Sequence, residues 1–136
     1  MSMVTACRGL VGALGVFIVL AMSGCAGVSA TMTVFDREQQ PADQLPADAR
    51  SAAQIDSTST RLLWVDGGVS YFAATSMEEP DATCIVVVDG SPEEYPAYCS
   101  TSVPIIVEID EERFALGDTA PGPEWEQLAD SFWRAP

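Results

Sequence analysis

No acidic side chain occurs before Asp36, and all twenty acids fall between Asp36 and Asp130. The first 35 residues carry a single charged side chain, Arg8. That discontinuity divides the chain into an uncharged N-terminal segment and an acidic remainder, and it marks the first domain boundary. With 136 residues in all, the acidic part is long enough for one domain.

Six arginines, no lysine and no histidine stand against those acids, for a formal net charge of −14. Such a surface repels nucleic acid, whose phosphates need Lys or Arg. It equally avoids anionic headgroups, so any hold on a membrane has to be hydrophobic. Without histidine there is no Ser-His or Cys-His pair, no His-ligated zinc and no imidazole base working near neutral pH.

The N-terminal segment has an internal order. Met1–Arg8 is short and positive, and Leu10–Met22 is a thirteen-residue apolar run. Ser23-Gly24 and then Cys25 follow. A positive start, a 7–15-residue apolar stretch and small residues at the end make a secretory signal. The "MSGC" of Met22–Cys25 resembles the lipobox of bacterial lipoproteins, with Met22 where leucine is usual. The resemblance implies a diacylglyceryl group on the Cys25 sulfur, cleavage just before it, and residues 1–24 as a removable signal peptide. Two acyl chains, at about 0.8 kcal/mol per buried methylene, anchor stably where one does not. Two alternatives stay open. Gly9–Phe35 has no charged side chain and matches the ~20 residues of a single transmembrane helix. An ordinary signal cut near Ala26 also fits.

Residues 25–45 read as a lipidated N-terminus and flexible tether, and residues 46–136 as a small extracytoplasmic domain. Two Pro-Ala-Asp triplets, Pro41–Asp43 and Pro46–Asp48, lie at the join. Proline at N1 with an acid in the first turn suits a helix start, here over Pro46–Gln54, although solvated linker fits too.

From Thr60 the pattern is that of strands. Thr60–Val65 and Val69–Thr75 flank Asp66-Gly67-Gly68, a short hairpin signal. Thr83–Val88, "TCIVVV", is a continuous apolar run of the kind buried on both faces. Tyr95–Ser100 returns the chain after the Asp89–Glu94 turn, and Pro96 pushes it toward a sheet edge. Val103–Asp110 and Arg113–Leu116 complete the expected fold. It is mainly β (small α+β), one antiparallel meander of about five or six strands, with short helices before the sheet and at the C-terminus. Over Glu124–Trp133 the apolar residues Trp125, Leu128, Ala129, Phe132 and Trp133 make a helical stripe. A strand pair broken at Ala129-Asp130-Ser131 is the alternative. In both cases the aromatic residues are expected to cover the sheet.

Symmetry about the Asp89–Glu94 turn sets Cys84 opposite Cys99. Directly opposed residues in an antiparallel pair are about 4.5–5.5 Å apart, within reach of a disulfide. Cys7 belongs to the signal segment, so Cys25 has no thiol partner. An exported domain sits in oxidising surroundings, where a structural disulfide persists.

Signals for chemistry are sparse. Glu78-Glu79-x-Asp81, Glu93-Glu94 and Glu108-x-Asp110-Glu111-Glu112 cluster at turns, without the alternating acids and glycine of a calcium loop. Asp110 and Glu112 are the least unlikely metal ligands, and solvated turn tips are the plainer reading. No Gly-rich phosphate loop and no base beside a serine is present, so no cofactor and no catalytic residue is expected.

The lipobox, "STRLLWVDGGVSYFAA", "TCIVVV" before "YCS", and the closing "W…FW" together resemble small surface lipoproteins of high-GC Gram-positive bacteria. That likeness implies an envelope location and a disulfide-bonded β domain, and it brings no catalytic residues. The expected protein is a lipid-anchored, non-enzymatic interaction or accessory module on the outer face of the cytoplasmic membrane, with an envelope protein as partner. A cation- or small-ligand-binding protein using the acidic loops is the alternative, and a hydrolase a distant one.

Overall fold

A computed structural model of the chain describes residues 32–49, 54–91 and 95–136. Within them the fold is mainly β, in two four-stranded antiparallel sheets. The first contains β1 (Arg61–Asp66), β2 (Val69–Thr75), β3 (Thr83–Val88) and β4 (Ala97–Ser100), in chain order. The second contains β5 (Ile105–Ile109), β6 (Glu112–Leu116), β7 (Glu126–Ala129) and β8 (Phe132–Arg134), in the order β5-β6-β8-β7. The expected single meander of five or six strands is therefore two sheets. The chain leaves the first sheet at residues 101–104, where Pro104 has no N–H to continue a ladder, and β5 starts the second sheet immediately after it. β4 lies against β5 and β1 against β7, so the sheets meet along both margins.

The β1–β2 turn is the expected one. Gly67 and Gly68 both take left-handed angles, φ 55° and 86°, as a two-residue turn matched to strand twist requires. Pro96 stands just before β4, which is an edge strand of its sheet.

The main core lies between the sheets. Leu63, Tyr71, Ile85 and Val87 of the first face Ile105, Val107, Phe114, Leu116 and Phe132 of the second. Phe114 and Phe132 stack 5.5 Å apart, and Tyr71 tilts against both at 5.0 and 5.5 Å. A smaller core covers the other face of the first sheet, where Phe72, Ala74, Cys84 and Val86 meet Leu45, Ala49, Ile55 and Tyr95. The run in β3 thus divides its side chains between two cores, which is why it shows no polar alternation.

One open choice is decided and one expectation is corrected. Of the two readings of the C-terminal stripe, the strand pair broken at Ala129-Asp130-Ser131 is the one found: β7 and β8 are joined at Asp130-Ser131, with Ser131 at φ 62° and an irregularity between Gln127 and Ala129. Pairing with β6 decides the outcome, since it puts Phe132 opposite Leu116 in the core and Trp133 opposite Ala115. Tertiary burial outweighs the local period.

The correction concerns residues 25–45. Their described portion is no tether: Met32 and Val34 are buried in the main core and Leu45 in the smaller one. Met32–Leu45 runs over the sheets as a strap, with 3-10 turns at Thr33–Phe35 and Pro41–Asp43. Of the helix expected over Pro46–Gln54, residues 46–49 and 54 are described: 47–49 are helical, and Gln54 is a turn residue at φ 49°.

Candidate functional site

The covalent cross-link among the described residues is where the register places it. Cys84 and Cys99 are directly opposed in β3 and β4 and form a disulfide, with 4.0 Å between their Cα atoms. Cys84 is fully buried and Cys99 exposed. Cys25 and Cys7 lie outside the described residues, as do Glu93 and Glu94.

The acidic turns are spread out. Asp110 and Glu111 form the tip of the β5–β6 hairpin at φ 50° and 68°, and Glu112 begins β6 opposite Ile109. Glu78, Glu79 and Asp81 lie in the β2–β3 loop, away from that hairpin along the strand direction. Among the described residues no three His, Cys, Asp or Glu side chains converge as a metal site.

Three open cavities adjoin these groups. One of about 360 Å³ has Glu78, Glu79 and Tyr95 beside Cys99. A second, of about 200 Å³, lies where β4 meets β5 and has Asp89, Glu108 and Asp110 with Tyr98. A third, of about 380 Å³, is lined by Ile55, Thr75, Met77 and Pro80. Ser76 lines the first and the third, where its hydroxyl oxygen accepts the Glu78 and Glu79 N–H groups at 3.2 Å. The Tyr71 phenol is pushed up by burial and by the negative charge of Glu112, Asp66 and Asp110, so it stays protonated and serves as a packing group.

The most constrained polar groups hold the strap, and sequence reasoning missed both. Asp43 is 1% exposed and accepts four hydrogen bonds. Two come from the Arg37 guanidinium, at 2.5 and 2.7 Å, and two from the backbone N–H groups of Gln40 and Leu62, at 2.6 and 2.7 Å. Burial pushes its carboxyl up, but these donors overcome that and hold it at about 2. Asp118 does the same at the strap's start. Burial raises its carboxyl, whereas the Ser131 hydroxyl and the Thr33 hydroxyl and N–H lower it further than burial raises it. Arg61, also buried, reaches the strap by donating to the Arg37 carbonyl at 2.8 and 3.0 Å.

The two Pro-Ala-Asp triplets hold different things. Asp43 of the first pins the strap, and Asp48 of the second accepts the Tyr95 hydroxyl at 2.8 Å. Proline before an acid was the one legible signal, and it points to a turn rather than to what the acid would bind.

No family model, curated protein or solved structure matches this chain.

Proposed function

We propose that the protein is a lipid-anchored module of the extracytoplasmic face of the membrane, held through Cys25 and acting by binding rather than by catalysis. The Cys84–Cys99 disulfide carries this reading, because such bridges persist in oxidising compartments and are rare in the cytosol. An exported domain preceded by an apolar run and "MSGC" fits a lipoprotein signal. The domain is packed from Met32 onward, so only residues 26–31 separate it from Cys25. At about 3.3–3.6 Å per residue, a stretch of that length reaches roughly 25 Å at most. The domain would therefore work close against the bilayer, with an envelope protein as its partner.

Among the described residues no helix is long and apolar enough to cross a membrane. Most of the competing Gly9–Phe35 span lies outside those residues, and near its end Met32 and Val34 pack into the main core and Phe35 against it.

The test is Cys25→Ala with a block of the lipoprotein signal peptidase. Lipidation predicts that the variant loses its membrane hold or stalls, and that the blocked wild type accumulates as a larger precursor. A variant that stays membrane-bound at unchanged size would sink lipidation and leave the spanning helix.

A further inference from the structure

The two sheets differ in what covers them. The outer face of the first is covered by Leu45, Ala49, Ile55 and Tyr95. On the outer face of the second, Ala115 is fully buried beneath half-buried Trp125 and Trp133, while Ile106, Glu108, Arg113 and Gln127 stand exposed. Its outward strand positions follow from the register: Ile106, Ala115, Trp133 and Gln127 make one row across the sheet, and Glu108 and Arg113 make the next. Ile106 is 52% exposed, and Val103, just before β5, is 45% exposed. The Arg113 guanidinium lies 5.6 Å from the centre of the Trp125 ring, which brings a second indole to this face.

Charge sets the face apart. On a chain of net −14, its outward strand positions carry one acid and one base, Glu108 and Arg113, directly opposed in register. It is electrically neutral while the hairpin tips around it are acidic.

The chain's point of entry selects the occupant. Thr33, where the strap begins, is bound to Asp118 and lies beside Ser131. Gly117, the neighbour of Asp118, accepts the Trp133 indole N–H at 2.8 Å and donates its own N–H to the Ser131 carbonyl. The route to Cys25 therefore leaves the domain at the margin of this face, through the six residues 26–31. Resting on the lipid-anchor reading, we infer that the outer face of the second sheet lies on the bilayer, with Trp125, Trp133, Ile106 and Val103 at the headgroup level. Tryptophan favours that depth, its ring in the apolar region and its N–H bonded. Repulsion between the other surfaces and anionic headgroups turns them away, leaving the neutral face as the one that can approach.

The experiment uses the full processed chain, purified from membranes and reconstituted in vesicles whose acyl chains carry bromine, a short-range quencher of indole emission. Trp64→Phe removes the only other tryptophan, so the signal reports Trp125 and Trp133. Flotation of the vesicles reads the anchor, and quenching reads the face. Emission is expected to drop relative to unbrominated vesicles. Ile106→Glu and Val103→Glu, both at exposed positions, are expected to restore it, whereas Met77→Glu in the distant β2–β3 loop leaves the drop intact. A chain that floats with unquenched indoles overturns this inference and leaves the anchor standing. Unquenched indoles that are also shielded from soluble acrylamide would mean that a protein covers the face. A chain that fails to float overturns the anchor and the inference with it.

Discussion

Thr33 and Asp118, 85 positions apart, are joined by the Thr33 N–H at 3.1 Å and by its hydroxyl at 2.8 Å. This pair fixes the start of the strap to the loop after β6. Asp118→Ala is expected to loosen the first turn and little else. Hydrogen exchange should speed at the Phe35 and Asp36 amides, which close that turn on Met32 and Thr33, while β2 and β3 keep their protection. Unchanged exchange at those amides would show that Met32 and Val34 hold the turn by burial alone.

Asp43 holds the strap's other end. Asp43→Ala leaves the Gln40 and Leu62 N–H groups, both in part-buried bonds, without their acceptor, and an orphaned donor costs about 1–3 kcal/mol where water does not replace the partner. A loss of roughly 2–4 kcal/mol is expected in denaturant unfolding. Arg37→Ala should cost about 1–3 kcal/mol, because it leaves the 2%-exposed Asp43 carboxylate with its charge unpaired, although two backbone donors remain.

The same carboxyl sets an acid limit. Its value in the fold, about 2, is below the ordinary 3.8, so the fold favours the ionised form. The stability it contributes is fully present above the ordinary value and is lost as pH falls toward 2. The wild-type minus Asp43→Ala difference in melting temperature should be level from neutral pH down to about 4 and shrink below it. The difference is the quantity to follow, because protonating the other acids relieves repulsion and acts in the opposite direction.

Reducing the Cys84–Cys99 bridge, or replacing both cysteines with alanine, is expected to remove about 3 kcal/mol, the chain-entropy value for a loop of this length. Equal unfolding midpoints for oxidised and reduced protein would contradict it.

Phe132 is fully buried and stacked between the sheets, and Phe132→Ala is expected to cost about 3–5 kcal/mol. Because β8 supplies this ring, the variant also tests whether the C-terminal hairpin is integral to the core. A small effect would show that the first sheet and the strap stand without it.

Most of the strands were legible because their cues are local. Val69–Thr75 and Thr83–Val88 match their observed limits, and the glycine turn and the cysteine register follow from the same stretch. What was not legible depends on distant partners. Trp125–Trp133 fits both a helical period and a broken strand pair, and only pairing with Phe114–Leu116 decides for the hairpin. The strap looks like linker because its anchors, Asp43 and Asp118, are polar residues whose holding role depends on partners elsewhere in the chain. For the site, the disulfide was readable, while the neutral face was not, since it emerges only once β5, β6, β8 and β7 lie side by side.

The meeting of β4 with β5 and of β1 with β7 has a consequence for a protein held at a surface. Confinement to two dimensions brings neighbouring copies together at high local concentration, the condition under which unpaired strand margins recruit one another into fibres. Here β1 and β4 run beside β7 and β5, and the strap's Asp43 takes up the Leu62 N–H of β1, so part of the margin that would serve as a template for polymerisation is already engaged.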